Sequence, residues 1–230
     1  MNSNRISTYA AVVATAFLSA STARVNAMVV NWGDATQTAL TLADGTTGVA
    51  QGSLVELGIF KNGMSDAAII ALGANPTAIQ SDLSVWATST IGSGTGSKAV
   101  FNAGSFAPGA GFFTSNAFLI VFNSNTVGAA TQVGVFKGRI TGNSNGDPWL
   151  FPTSDIDFPR NFSADDLTAT NVLIGGYGVG TYDDSAANDS WFGGPVNALK
   201  LAVVPVPEPA TYALVGMGLL GVCGLRRRRG

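Results

Sequence analysis

Short apolar runs, separated by glycine, asparagine and serine, dominate the hydrophobic pattern of this chain. Runs of this length that end in turn residues are typical of β-strands. The most apolar example, Phe118-Leu119-Ile120-Val121-Phe122, predicts a central strand. Together the runs predict a mainly β domain, built as an antiparallel β-sandwich or a jelly roll. The predicted strands are 28–32, 36–42, 53–60, 100–106, 117–122, 132–136, 173–175 and 198–204.

Two segments that follow the strand at 53–60 predict one or two short helices. Ser65 is a good N-cap residue, so we expect the first helix to run through residue 72 and to end at Gly73. Pro76 suits the first turn of a second helix, which we expect to reach about residue 86. We expect both helices to cover one end or edge of the sheet. The apolar face of the second helix consists of Ile79, Leu83 and Trp86.

The N-terminus has the three parts of a secretory signal peptide. Arg5 supplies a positive charge, residues 10–18 form a short apolar stretch, and Val25-Asn26-Ala27 is a small-residue cleavage site. We expect cleavage after Ala27, and Ala23 is the alternative. The predicted organisation is a signal peptide at 1–27, an extracellular β domain at 28–204 and a C-terminal segment at 205–230.

The C-terminal segment combines an extended stretch, an apolar run and a cluster of positive charges. The prolines of Val206-Pro207-Glu208-Pro209 favour extended backbone. The next 16 residues, 210–225, carry no charge and as a helix would span about 24 Å, slightly less than the ~30 Å hydrocarbon core. Arginine side chains can reach the headgroups beyond that end. The four arginines are expected on the cytoplasmic side, so we predict a transmembrane helix at about 210–225 with the body outside the cytoplasm.

Pro207-Glu208-Pro209, the apolar run and the arginine cluster, in that order at the C-terminus, resemble the PEP-CTERM sorting signal of Gram-negative bacteria. The resemblance covers only residues 205–230. It implies processing by an exosortase at or near the motif, transfer to the cell surface or extracellular matrix, and a setting of exopolysaccharide and biofilm. The implied sorting residues are Val206, Pro207, Glu208 and Pro209, and the implied membrane stop consists of Arg226, Arg227, Arg228 and Arg229.

The body between residues 28 and 205 is acidic and lacks two reactive residue types. It contains 13 Asp and Glu residues against six Lys and Arg residues, a net charge of about −7, which argues against a nucleic-acid or anionic-lipid partner. It contains no His, and the single Cys of the chain is Cys223. The body therefore has no disulfide, no Cys/His zinc site and no catalytic group that requires His.

Asparagine and aspartate residues late in the body are candidate ligands for calcium. Ca²⁺ binds six to eight oxygen atoms, and the spacing of these residues suits a calcium loop, although no EF-hand pattern is present. Solvated acids in turns, which keep the protein soluble, are the interpretation we adopt, and calcium binding is the alternative. The sequence otherwise predicts no cofactor. The candidate calcium ligands are Asn143, Asn145, Asp147, Asp155 and Asp157.

Aromatic residues near these acids are candidate contacts for sugar rings, namely Trp149 and Trp191. We predict no catalytic residue. The expected function is that of an exported, transiently anchored surface or matrix protein, structural or adhesive in an exopolysaccharide setting. The alternatives are a carbohydrate-binding module and a glycan hydrolase that uses two carboxyl groups.

Overall fold

The structure, a computed structural model, describes residues 30–33, 37–105, 109–138, 149–151, 161–185 and 191–205. Within these ranges the chain forms twelve strands and two α-helices. The strands are β1 (Val30–Gly33), β2 (Thr38–Thr41), β3 (Leu54–Phe60), β4 (Leu83–Thr90), β5 (Asn102–Ser105), β6 (Phe118–Phe122), β7 (Gln132–Lys137), β8 (Asn161–Ser163), β9 (Val172–Ile174), β10 (Gly176–Tyr182), β11 (Val196–Lys200) and β12 (Ala202–Val203). The helices are α1 (Asp66–Ala71) and α2 (Pro76–Asp82).

The largest sheet has the strand order β12–β7–β6–β3–β4, and β9 pairs with β7. All of its strand pairs are antiparallel. Every residue of β6 is buried, which agrees with the central position predicted from its continuous apolar run. This sheet confirms the expected mainly β, antiparallel architecture.

Two smaller sheets have the orders β5–β1–β8 and β10–β11–β2. Each contains one parallel pair, β1 with β8 and β2 with β11, alongside the antiparallel pairing that the sequence mainly predicts. Parallel pairing needs a long connection between the two strands. The rest of the domain lies between the partners in sequence and provides that connection.

One face of the central sheet packs against the two smaller sheets. Leu57 of β3 and Leu119 of β6 lie in one buried cluster with Trp32 of β1, Phe162 of β8 and Leu199 of β11. Successive residues of a strand point to opposite faces of the sheet. The residues next to Leu57 and Leu119 in the sequence therefore point to the other face. The layering is consistent with a β-sandwich.

The two helices cover the opposite face of the central sheet. Ile69 of α1 and Ile79 of α2 are fully buried in a cluster with Ile120 of β6 and Val135 of β7. This corrects our expectation that the helices cover an end or edge of the sheet. Apart from Lys137 at the end of β7, the β6 and β7 side chains on this face are apolar, so the face has to be buried by a further layer.

The helices begin where the cap residues predict. The Ser65 Oγ atom accepts a hydrogen bond of 3.2 Å from the Ala68 N–H at the start of α1. The Asn75 Oδ1 atom accepts one of 3.1 Å from the Ala78 N–H, and Pro76 occupies the first turn of α2. These contacts satisfy N–H groups that have no partner within the helix.

The predicted extension of the second helix to Trp86 is wrong. Helix α2 ends at Asp82, and the next eight residues form β4, which pairs with β3 along its length. Valine and threonine residues in this segment favour a strand, and the unpaired edge of β3 gains a full ladder of backbone hydrogen bonds from it. Strands β8 and β10 were also absent from our assignment.

Within the described ranges no helix has both the length and the apolar composition to cross a bilayer. The predicted transmembrane helix at 210–225 and the predicted signal peptide at 1–27 lie outside the described residues.

Candidate functional site

A cleft of about 540 Å³ opens at one end of the central sheet. Four neighbouring strands reach it, since it lies where β3 and β7 end and where β4 and β6 begin. The segment that leads from β3 to α1 forms one wall, and the segment before β6 forms another. Its lining includes Phe60, Lys61, Asn62, Thr114, Phe118 and Lys137.

The floor of the cleft follows from the register of the strands. Phe118 of β6 lies opposite Lys137 of β7 on one side and opposite Gly58 of β3 on the other. Residues that face each other across an antiparallel pair point to the same side of the sheet. The Phe118 ring packs edge-on against Phe60, with the ring centroids 5.0 Å apart. The Lys137 Nζ atom lies 6.0 Å from the centroid of Phe118, at the limit of a cation–π contact.

Two ammonium groups give the cleft a positive charge. The Lys61 Nζ atom donates a hydrogen bond of 2.5 Å to the Ser81 carbonyl oxygen. The Lys137 Nζ atom donates one of 2.7 Å to the Asp66 Oδ1 atom, and the Asp66 side chain is 48% exposed. An ammonium group has three N–H donors, so each lysine keeps donors beyond the one hydrogen bond described here. The cleft lining includes no Asp or Glu residue.

Both walls contain backbone in the left-handed region. Asn62 has a φ of 56° and Thr114 a φ of 58°. This conformation is uncommon outside glycine and is strained for a β-branched residue such as Thr114. The Thr114 N–H donates to the Phe151 carbonyl oxygen at 3.2 Å, and the Phe151 N–H donates to the Ser115 carbonyl oxygen at 2.9 Å. These two hydrogen bonds hold the wall in its strained form.

Glu56 is a buried acid beneath helix α2. Its side chain lies in β3 and the residue is 3% exposed. The Oε1 atom accepts a hydrogen bond of 2.6 Å from the Gln80 Nε2 atom, while the buried Oε2 atom has no hydrogen-bond partner among the described residues. Burial raises the pKa of the Glu56 carboxyl, and the hydrogen bond from Gln80 offsets part of the rise. Our assignment of sites did not include Glu56, although one acid in an otherwise apolar strand was a usable signal.

The two tryptophans that we predicted as sugar contacts occupy different environments. Trp149 is 1% exposed and its ring packs against that of Phe162 at 5.4 Å between centroids. A methyl group at Gly138 would overlap the Trp149 side chain. The structure therefore places Trp149 in the core, where it has no exposed ring face, and this corrects its role as a surface platform. Trp191 is 42% exposed and keeps its candidate role.

The remaining predicted site residues lie outside the described part of the chain. This applies to Ala27, to the sorting residues 206–209, to the arginines 226–229 and to the five candidate calcium ligands, Asn143, Asn145, Asp147, Asp155 and Asp157. Among the residues that are described, no three His, Cys, Asp or Glu side chains come together as a metal site. The calcium hypothesis therefore stays a prediction from the sequence.

Residues 205–229 match the family model of the PEP-CTERM protein-sorting motif. The match confirms the resemblance drawn from Pro207-Glu208-Pro209, the apolar run and the terminal arginines. It indicates an exported protein that passes through the membrane and is sorted by an exosortase. Neither the curated proteins nor the solved structures provide a match to the chain, so the body of the protein is interpreted from its own geometry.

Proposed function

We propose that this chain is a structural or adhesive protein of the cell surface or extracellular matrix, in an exopolysaccharide setting. Its tail anchors it in the inner membrane until an exosortase-like enzyme processes it. The observation that carries the proposal is the sorting motif at residues 205–229. The acidic body, which lacks His and Cys, supports a binding or structural role over His- or Cys-dependent catalysis.

Each part of the tail has a separate physical task in this proposal. The prolines of residues 205–209 keep the backbone extended, so a processing enzyme can bind it as a strand-like segment. The uncharged run 210–225 enters the bilayer as a helix, because its backbone hydrogen bonds are then satisfied internally. The arginines 226–229 stop transfer on the cytoplasmic side.

Two sets of replacements test this division of tasks in the natural host. We expect the change of Arg226–Arg229 to glutamine to abolish retention before processing, and the change of Pro207, Glu208 and Pro209 to alanine to leave the precursor uncleaved. Blots of the membrane, periplasmic and extracellular fractions measure both effects. A variant with lysine at 226–229 keeps the positive charge and is expected to be processed like the natural chain.

Unchanged processing in both the glutamine and the alanine variants would overturn the sorting mechanism. Loss of processing in the lysine variant would show that a property of arginine other than its charge is recognised, because lysine cannot reproduce the planar guanidinium group.

The cleft favours binding over the alternative of glycan hydrolysis. A glycosidase of the common type places two carboxyl groups about 5–9.5 Å apart on either side of the scissile bond. The lining of the cleft has lysines, hydroxyl groups and amides but no carboxyl group, so it contains neither the acid nor the nucleophile of that mechanism.

A further inference from the structure

We propose that the cleft at the end of the central sheet binds an anionic saccharide, with Lys61 and Lys137 facing its negative charge. The proposal concerns a ligand class for a site in the body, and it rests on the proposed function only in placing that site outside the cytoplasm. Three independent observations support it: the charge of the cleft, the chemistry of its remaining surface and the strain in its walls.

The charge of the cleft is opposite to the charge of the body. Residues 28–205 carry six Lys and Arg residues against 13 acids, yet two of these six cations line one cleft whose lining contains no acid. A cleft lined by one sign of charge attracts ligands of the opposite sign. A cationic ligand would be repelled by this arrangement, and a neutral ligand would gain no charge–charge attraction from it.

The donors of the two lysines are only partly used. Lys61 gives one hydrogen bond to a backbone carbonyl, and Lys137 gives one to the half-exposed Asp66. The Lys137–Asp66 pair is partly exposed, with the two side chains 24% and 48% exposed, and it occupies one of the three N–H donors of Lys137. A carboxylate or sulfate group in the cleft can therefore accept the remaining N–H donors while the existing contacts stay in place.

The rest of the lining suits the hydroxyl groups of a sugar. Ser84, Thr114 and Ser115 provide hydroxyl groups, and Asn62 and Asn116 provide side-chain amides. A volume of about 540 Å³ falls within the range of sites for small molecules. The cleft therefore has room for a short saccharide, and it is too small to receive a folded partner.

The strained backbone is concentrated at the same place. Of the three described non-glycine residues with positive φ, two, Asn62 and Thr114, line the cleft. Such conformations persist only where the surroundings impose them, and they cluster at binding sites and active sites. Because two backbone hydrogen bonds fix the wall at Thr114, this wall is formed before a ligand enters the cleft.

Calorimetric titration of the purified full chain in neutral detergent tests the proposal with three probes. These are trigalacturonate, a sulfated disaccharide and uncharged maltotriose. We expect at least one of the two anionic probes to bind, and binding of both would mean that the cleft recognises negative charge on a sugar rather than one acidic group.

We expect Lys61→Met and Lys137→Met each to weaken that binding by about 10-fold, the effect of one charge-assisted hydrogen bond. Lys200→Met is the matched control, since Lys200 lies in a different sheet, and it should leave the affinity unchanged.

Footprinting of the unaltered protein provides a second measurement that needs no variant. Reductive methylation of lysines, with and without the anionic probe, should show protection of Lys61 and Lys137 but not of Lys200. Any of three results would overturn the proposal: no binding of either anionic probe at millimolar concentration, equal binding of maltotriose, or binding without protection of the two cleft lysines. These results leave the processing test of the tail unaffected, so the two proposals fail separately.

Discussion

The two faces of the central sheet are covered in different ways. On one face the two small sheets bury a cluster that is rich in large aromatic side chains, among them Trp32, Phe101 and Phe162. On the other face two short helices cover mainly isoleucine, valine and phenylalanine. The helical face also holds a buried carboxyl group at Glu56 and leads to the cleft at Phe118 and Lys137.

This difference places the largest buried side chains on one face of the sheet and the proposed binding cleft beside the other. The sheet-covered face buries the largest side chains, and its contacts join residues that are far apart in the sequence. Helix α1 has six residues and helix α2 has seven. Neither is long enough to be stable in isolation. A thin layer of this kind leaves the end of the sheet accessible, which is where the cleft forms.

The largest effect is expected from truncation on the sheet-covered face. Phe162 contacts the rings of Trp149 and Phe151, each at 5.4 Å, so Phe162→Ala should lower the free energy of unfolding by about 3–5 kcal/mol. On the helical face Ile79→Ala should lower it by roughly 2–3 kcal/mol, because a thin layer can relax into the space. Urea titration followed by tryptophan fluorescence measures both. A larger loss for Ile79→Ala would mean that the helices are the principal support of the sheet.

A smaller effect with a distinct pH dependence is expected at Glu56. Because burial raises the pKa of this acid in the folded state, the folded protein holds its proton more tightly than the unfolded chain does. Stability from this group is therefore complete below its ordinary, unfolded-state pKa and is lost as the pH rises through the higher folded-state pKa. Glu56→Gln should abolish this loss and make the protein more stable than the natural chain at pH 7, by roughly 1–3 kcal/mol.

Asp44 provides the control of opposite sign for Glu56. Hydrogen bonds from the Thr47 hydroxyl group, and then from the N–H groups of Thr47 and Thr46, lower the pKa of Asp44. Asp44→Asn should therefore remove stability that is present at pH 7 and that the natural chain loses as the pH falls through the folded-state pKa of Asp44. Chemical unfolding at a series of pH values follows both variants. If Glu56→Gln left the pH profile unchanged, the buried carboxyl would not be ionising as its surroundings indicate.

Local chemistry made much of the central sheet and both helix starts predictable. The apolar run of β6, the cap residue Ser65 and Pro76 at the first turn of α2 each carry a signal within a few residues. The end of α2 was missed because Ile79, Leu83 and Trp86 have helical spacing by coincidence, and pairing with β3 overrides it. Strands β8 and β10 were missed because one has three residues and the other contains three glycines, so neither shows alternating hydrophobicity.

The cleft was not predictable, because distant segments of the chain meet there. Lys61 and Lys137 are separated by 76 positions, and only the register of β3, β6 and β7 brings their strand ends to one place. Threonine at position 114 carries no sequence signal for a left-handed backbone. Trp149 was misassigned because a large aromatic near polar residues resembles a binding platform, whereas such side chains most often fill a core.

The smallest change in unfolding free energy is expected from removing either helix cap. Comparing the two caps tests the link between α2 and Glu56. Asn75→Ala and Ser65→Ala each remove one cap, and each should cost about 1 kcal/mol of unfolding free energy. Helix α2 positions Gln80, which donates to Glu56, so the effect of Asn75→Ala should change when Glu56→Gln is also present. The effect of Ser65→Ala should simply add, because α1 makes no such hydrogen bond to Glu56 among the described residues. Double-mutant cycles from urea titrations at pH 7 measure both couplings. Equal couplings for the two caps would show that the helices respond as one layer, without a specific link through Gln80.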